Sequence, residues 1–156
     1  MYLPTPSGRK RLNVLGALDA ITHQLITVIN ETYINSQCVA ELIEKIVAQN
    51  IGLPITLILD NARYQRCDFV GQAAEKHKVE LLFLPSYSPH FNIIERLWKW
   101  IKKDCLYCKY YEKFSGFKDG INESLLKIKK SEHKEEFDSL FALNFQSYSN
   151  AHIMTF

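Results

Sequence analysis

The run Ile55 to Leu59 (ITLIL) constrains this chain more than any other five residues. It is continuously apolar and rich in β-branched side chains, and it is bounded by Pro54 and by Asp60-Asn61. That is the pattern of a central strand covered on both faces. Tyr64 to Lys78 follows as an expected helix, with Phe69, Ala73 and Ala74 toward the core. Val79 to Leu84 reads as a second buried strand that ends at Pro85. The order from Pro54 to Leu84 is therefore β-α-β, which favours parallel strands joined by a right-handed crossover.

Upstream, Arg11 to Ala20 and Gln24 to Tyr33 read as extended, the second alternating at Leu25, Thr27 and Ile29. The short connection Asp19 to His23 predicts a hairpin. Ser36 is the expected N-cap of a helix in which Val39, Leu42, Ile43, Ile46 and Val47 recur at helical spacing, up to a stop at Asn50 and Gly52. Downstream, Pro85 and Pro89 set a rigid loop over Ser86 to Phe91. Asn92 then opens a helix striped by Ile94, Leu97, Trp98 and Ile101. Phe114 to Lys129 predicts another helix, with Phe117, Ile121, Leu125 and Ile128 on one face, and Lys134 to Leu143 a shorter one. Residues 144–156 carry no readable pattern. No repeat, low-complexity stretch or linker divides the chain, so residues 1–156 are read as one domain.

The fold class expected is α/β: a mixed sheet, with an antiparallel hairpin and then parallel strands, flanked by helices. An apolar share of 47% over 156 residues is that of a globular domain rather than a disordered one. No apolar run is long enough to span a membrane, and Met1 to Lys10 lacks the apolar stretch of a signal peptide, so a cytoplasmic location is expected. The four cysteines, Cys38, Cys67, Cys105 and Cys108, are read as reduced thiols. Only Cys105 and Cys108 form a pair of zinc-ligand spacing, and His77 and His133 stand too far off to complete a finger, so no zinc is expected. A net charge of +2 does not by itself imply a nucleic-acid partner. The basic residues do cluster, at Arg9 to Arg11, at Arg96, Lys99, Lys102 and Lys103, and at Lys127, Lys129 and Lys130. Taken singly, such clusters are usually solvated surface.

Two carboxylates stand out. Asp60 directly follows a buried strand, at the end of an α/β sheet where ligands gather. A carboxylate fixed there suits a hard divalent cation, although Asp60-Asn61 also serves as a simple turn or cap. Asn92 to Glu95 matches a capping box. Glu95 also borders the stripe of Ile94, Leu97 and Trp98, from which it can turn toward the strand ends.

The phrase around them is specific. LILDNARYQ followed by LLFLPSYSPHFNIIERLWKWIKK resembles the DDE transposases of the mariner-like and bacterial insertion-sequence group. Their pattern is a strand ending in Asp-Asn, then Leu-Pro-x-Tyr-Ser-Pro-x-Leu-Asn-Pro-x-Glu-x-x-Trp with a lysine soon after. Leu84, Pro85, Tyr87, Ser88, Pro89, Asn92, Glu95 and Trp98 match it. So does the interval, since 95 − 60 = 35 leaves 34 residues between the two acids. The match is close over residues 8–103 and loose over the helical part, 104–156. It implies an RNase H-like fold and two-metal transfer of DNA strands, with Mg²⁺ or Mn²⁺ held by three carboxylates. Asp60 would be the second of these and Glu95 the third. Asn61, Tyr87, Ser88, Arg96, Lys99, Lys102 and Lys103 would contact DNA, whether transposon ends or target.

The sequence departs from that pattern in places. Gln65 stands where many relatives have histidine, Phe91 replaces leucine, and Ile93 replaces the proline before the glutamate. The resemblance puts a first aspartate on a strand ahead of Arg11, but only ten residues precede Arg11 and none is acidic. Asp19, at the hairpin, is a poor substitute. The chain is therefore expected to be an N-terminally truncated catalytic domain that lacks the first strand of the sheet, weakly active or inactive, paired with an upstream transposase fragment or with a second copy of itself. The alternative is a non-catalytic DNA-binding or assembly remnant that uses the basic face of the Asn92 to Lys103 helix with Trp100, Tyr107, Tyr110 and Tyr111. Packing against the C-terminal helices is the simpler role for those tyrosines. Another RNase H-like nuclease, such as a resolvase, fits the Tyr-Ser-Pro loop and the 34-residue interval less well.

Overall fold

Alternation decides the first half of the molecule. In the computed structural model, which describes residues 2–4, 10–49, 52–85, 92–107, 109–129 and 134–141, strand β2 (Arg11–Leu18) pairs antiparallel with β3 (Leu25–Asn30), from Leu18↔Leu25 to Asn13↔Asn30. Residues two apart share a face. Leu12, Val14 and Leu25 are buried in one core, while Val28, with Leu15, Ala17 and Ile26, packs into a second on the opposite face. The hairpin turn is held by Asp19, whose Oδ1 accepts the N–H groups of Ile21 and Thr22, each at 2.8 Å. That carboxylate serves the turn. A short strand, β1 (Tyr2–Pro4), pairs antiparallel with β2 and gives the order β1-β2-β3. A strand ahead of Arg11, expected to be missing, is thus present as three residues that nothing in the apolar pattern announces.

Helix α1 (Ser36–Val47) covers the second of these faces with Val39, Leu42, Ile43 and Ile46. Its N-cap is Asn35 rather than the expected Ser36: Asn35 has extended backbone, and its Oδ1 accepts from the Cys38 N–H at 3.1 Å. Asparagine and serine cap equally well, so the backbone conformation decides between neighbours. Ahead of the next strand, Gly52 has φ +69, a conformation that glycine adopts freely.

The β-α-β unit forms as expected, with two differences. β4 (Ile55–Leu59) and β5 (Val79–Phe83) pair in parallel, Ile55↔Val79 to Leu59↔Phe83. The crossover begins with a 3₁₀ turn (Arg63–Gln65), so α2 starts late, running from Asp68 to Lys76. It buries Val70 and Ala74, leaving Phe69 half in solvent. The second difference is cover. Leu57, Leu59 and Val79 are buried, but Ile58 and its register partner Leu82 are 50% and 46% exposed. Among the described residues the pair is thus covered on one face only, the later helices packing over β2 instead. Among the described residues no ladder joins β4-β5 to β1-β2-β3, so the mixed architecture consists of a three-stranded antiparallel and a two-stranded parallel sheet.

Helix α3 (Ile93–Leu106) buries the expected stripe of Ile94, Leu97, Trp98 and Ile101, along with Cys105. Helix α4 (Phe114–Lys129) answers with Phe117, Ile121, Leu125 and Ile128. The approach of α3 to β2 depends on Gly16, where a Cβ would lie 2.8 Å from the Trp98 ring. Helix α5 (Lys134–Phe141) is tied on by Trp100, which donates its indole N–H to Glu136 at 2.7 Å and meets Phe137 edge-on at 4.9 Å. Tyr111 donates its hydroxyl to the Cys105 carbonyl at 2.7 Å, whereas Tyr107 and Tyr110 are exposed. Cys38 and Cys105 are buried free thiols and Cys67 is a partly buried one; Cys108 lies outside the described residues. No helix among the described residues is long and apolar enough to cross a membrane.

The α3–α4 contact also carries a charge cluster. Asp104 accepts from Lys127 at 2.8 and 2.9 Å and from the Ser124 hydroxyl at 2.6 Å. Burial pushes the Asp104 carboxyl up, but the bonds from Lys127 and Ser124 outweigh it and hold the group below the usual carboxylate range. A carboxyl depressed by folding adds stability above its unfolded pKa and loses it as the pH falls through the folded value. Asp104→Asn is thus expected to cost about 1 kcal/mol at neutral pH, because Lys127 is partly in solvent and the pair is screened. The gap to the parent should begin to narrow at the unfolded aspartate value of about 3.9 and close once the pH has passed the lower, folded value. Urea denaturation at neutral and acid pH measures it; a gap independent of pH would rule this origin out.

Candidate active site

The site begins where β4 ends. The Leu84 N–H bonds the Leu59 carbonyl at 2.8 Å, which extends the parallel ladder to the last residue before Asp60. Asp60 is exposed, and Asn61 and Ala62 are partly buried in the loop that follows. Gln65, only 4% exposed, donates its Nε2–H to Asp60 Oδ1 at 2.6 Å. The Gln65 Oε1 in turn accepts the Ala62 N–H at 3.2 Å. Tyr64 stands beside them. Burial pushes its phenol above the ordinary value, and the negative charge of Asp60 adds to the effect.

Glu95 lies in the first turn of α3, where the helix dipole favours a negative charge. The capping box expected there does not form. Asn92 is the N-cap residue, with extended backbone, but its side chain makes no capping bond, and the link is between the Glu95 N–H and the Asn92 carbonyl at 3.1 Å. The Glu95 carboxylate is exposed while its neighbours Ile94 and Leu97 are buried. Asp60 and Glu95 therefore rise from different cores: Leu59, next to Asp60, belongs to the one under α1, and Ile94, next to Glu95, to the one under α3.

Lys99, Lys102 and Lys103 are exposed along α3, and Tyr107 and Tyr110 are exposed just beyond them. Arg96 is turned the other way, its Nη1 donating to the Leu140 carbonyl of α5 at 3.3 Å. Tyr87 and Ser88 lie outside the described residues. Trp100, placed by one sequence reading beside the basic face, is engaged by α5. A cavity of about 600 Å³ between the hairpin, α1 and α4 is lined by residues such as His23, Lys45 and Gln49, and includes neither carboxylate.

In donor chemistry the residues fit a hard divalent cation in part. Asp60 and Glu95 offer exposed carboxylate oxygens on the ends of regular elements. Mg²⁺ is often held by one or two carboxylates, with water and substrate phosphate completing its shell. Among the described residues no group of three or more His, Cys, Asp or Glu side chains forms a ready-made cage. Sequence reasoning passed over Gln65 as a minor departure. The available signal was a residue with both a donor and an acceptor five places after a strand-end acid.

Comparison with known proteins bears on the family and on the fold. The family described as DDE superfamily endonuclease matches residues 1–118. No curated protein matches the chain. A chain of the solved intasome of simian T-cell lymphotropic virus, in complex with the PP2A regulatory subunit B56 gamma, superposes with a TM-score of 0.56 at 14% identity. The overlap covers 81% of this chain and 45% of that one, so this chain spans less than half the length of the neighbour. At that identity the likeness speaks for the fold, which is RNase H-like.

Proposed function

Because this chain belongs to the DDE superfamily endonucleases, we propose that it takes part in transposase-like cleavage and transfer of DNA strands, with Asp60 and Glu95 as metal ligands. Endonucleases of this family use divalent metal ions. The observation that carries the reading is the strand-end placement of Asp60, fixed by β4 and by Gln65 while still exposed. In this reading Asp60 and Glu95 hold Mg²⁺ or Mn²⁺, the exposed Lys99, Lys102 and Lys103 take up phosphates, and Asn61 meets the strand beside the scissile bond. When bound, such ions stabilise charge on the attacking and leaving oxygens. A further carboxylate, from outside the described residues or from a partner chain, would complete the set of three. A dimer or a second transposase fragment fits that need.

A second reading rests on the lysines together with exposed Tyr107 and Tyr110: a DNA-binding surface that works without cleavage. Basic groups neutralise phosphates and exposed aromatic rings stack on bases. One experiment separates the two readings. Supercoiled plasmid is incubated with the parent chain, Asp60→Asn and Glu95→Gln, in Mg²⁺ or Mn²⁺, and nicking is followed beside filter binding at increasing salt. Nicking by the parent that both substitutions abolish supports the enzyme. Salt-sensitive binding with no nicking supports the binding surface. Nicking that survives both substitutions refutes the assignment of the two acids.

A further inference from the structure

Gln65 is a buried amide with both ends engaged. Its backbone N–H bonds the Ala62 carbonyl at 3.0 Å, and its side-chain Oε1 accepts the Ala62 N–H at 3.2 Å. This reciprocal pair closes the 3₁₀ turn and fixes where the side chain points. The remaining donor, Nε2–H, meets Asp60 Oδ1 at 2.6 Å, the short distance of a hydrogen bond to a charged acceptor. Burial of such an amide without partners costs stability, so a side chain only 4% exposed keeps to this geometry. An exposed aspartate at a loop entrance would otherwise sample several rotamers. With Oδ1 held by Gln65, the carboxylate of this exposed residue has one oxygen fixed on the protein side.

The geometry points to Gln65 as the positioning residue of Asp60: it orients the carboxylate so that one face stays turned to solvent as a ligand, and the metal affinity of Asp60 depends on that amide donor. The inference rests on the reading of Asp60 as a metal ligand. Partners that orient a ligand typically change metal affinity when removed, because the free ligand must then be ordered on binding. A neutral imidazole also offers one donor and one acceptor, so histidine can take the same two roles, whereas methionine, of similar length, offers no donor.

The test uses the full chain labelled with ¹⁵N and titrated with Mn²⁺, reading paramagnetic broadening of the amides around Asp60, with thermal melts as a control on folding. The parent should show broadening centred on Asp60, and Asp60→Asn should lose it. Gln65→Met should weaken Mn²⁺ binding roughly 10–100-fold, and Gln65→His should restore most of it. If Asp60→Asn abolishes broadening but Gln65→Met binds within about threefold of the parent, positioning is refuted and the ligand reading stands. If Gln65→Met melts early and loses binding, recovery of both by Gln65→Met's counterpart Gln65→His is required; binding that stays lost in a well-folded Gln65→His also refutes positioning. A parent with no broadening near Asp60, or an Asp60→Asn variant that keeps it, overturns both.

Discussion

Trp98→Ala is expected to lower the unfolding free energy by about 3–5 kcal/mol, the range for removing a large aromatic ring from a core. Trp98 is 6% exposed and sits in the core formed by β2, α3 and α4. The loss should fall at the upper end, because the ring rests on Gly16, which has no side chain to move into the space. A domain of this kind is stable by only about 5–15 kcal/mol, so the variant should unfold at a much lower denaturant concentration. A midpoint close to that of the parent would mean that Trp98 does not hold α3 to β2.

The opposite change should be nearly as damaging. At Gly16 a Cβ would lie 2.8 and 2.9 Å from two Trp98 ring carbons and 3.3 Å from Ile94 Cδ1. The obstacle is a buried ring rather than the free end of a flexible chain. Gly16→Val is expected to cost at least the roughly 1–3 kcal/mol of an overpacked core. Since α3 carries Glu95, the same substitution pushes that carboxylate away from β2. The two sites touch, so their effects should not add. The double variant Gly16→Val, Trp98→Ala should be more stable than the sum of the single losses. Strict additivity in chemical denaturation would show that the two residues do not share this contact.

Much of this was legible in the residues themselves. The β-α-β unit, the hairpin and the stripes of α3 and α4 follow from periodicity, since each stripe has one core to face. Periodicity does not tell which neighbour a face will meet. That is why Ile58 and Leu82, two links of continuous apolar runs, emerged on an uncovered face. Phe69 and Val70 are both apolar and adjacent, and it is Val70 that is buried with Ala74 in α2. β1 was invisible because three residues give no period, and its pairing comes from β2. In the site, the positions of Asp60 and Glu95 could be read from the Asp-Asn and Tyr-Ser-Pro phrases. The hydrogen bonds around them could not: Gln65 reaches back over five residues, and the Asn92 side chain leaves the helix start uncapped although its spacing fits a capping box.

That Asp60 and Glu95 stand over separate cores has a thermodynamic consequence. Proteins open in cooperative units, and here the cores under α1 and α3 meet through the two faces of the β2-β3 hairpin. A ligand gripping both carboxylates would act as a cross-link between those units. By mass action it would favour the state in which they are docked, and part of its binding free energy would go into that docking. Affinity at the carboxylates and rigidity at the hairpin are then one linked quantity: a change at Gly16, which is not itself a ligand, would be read as a weaker grip on the metal.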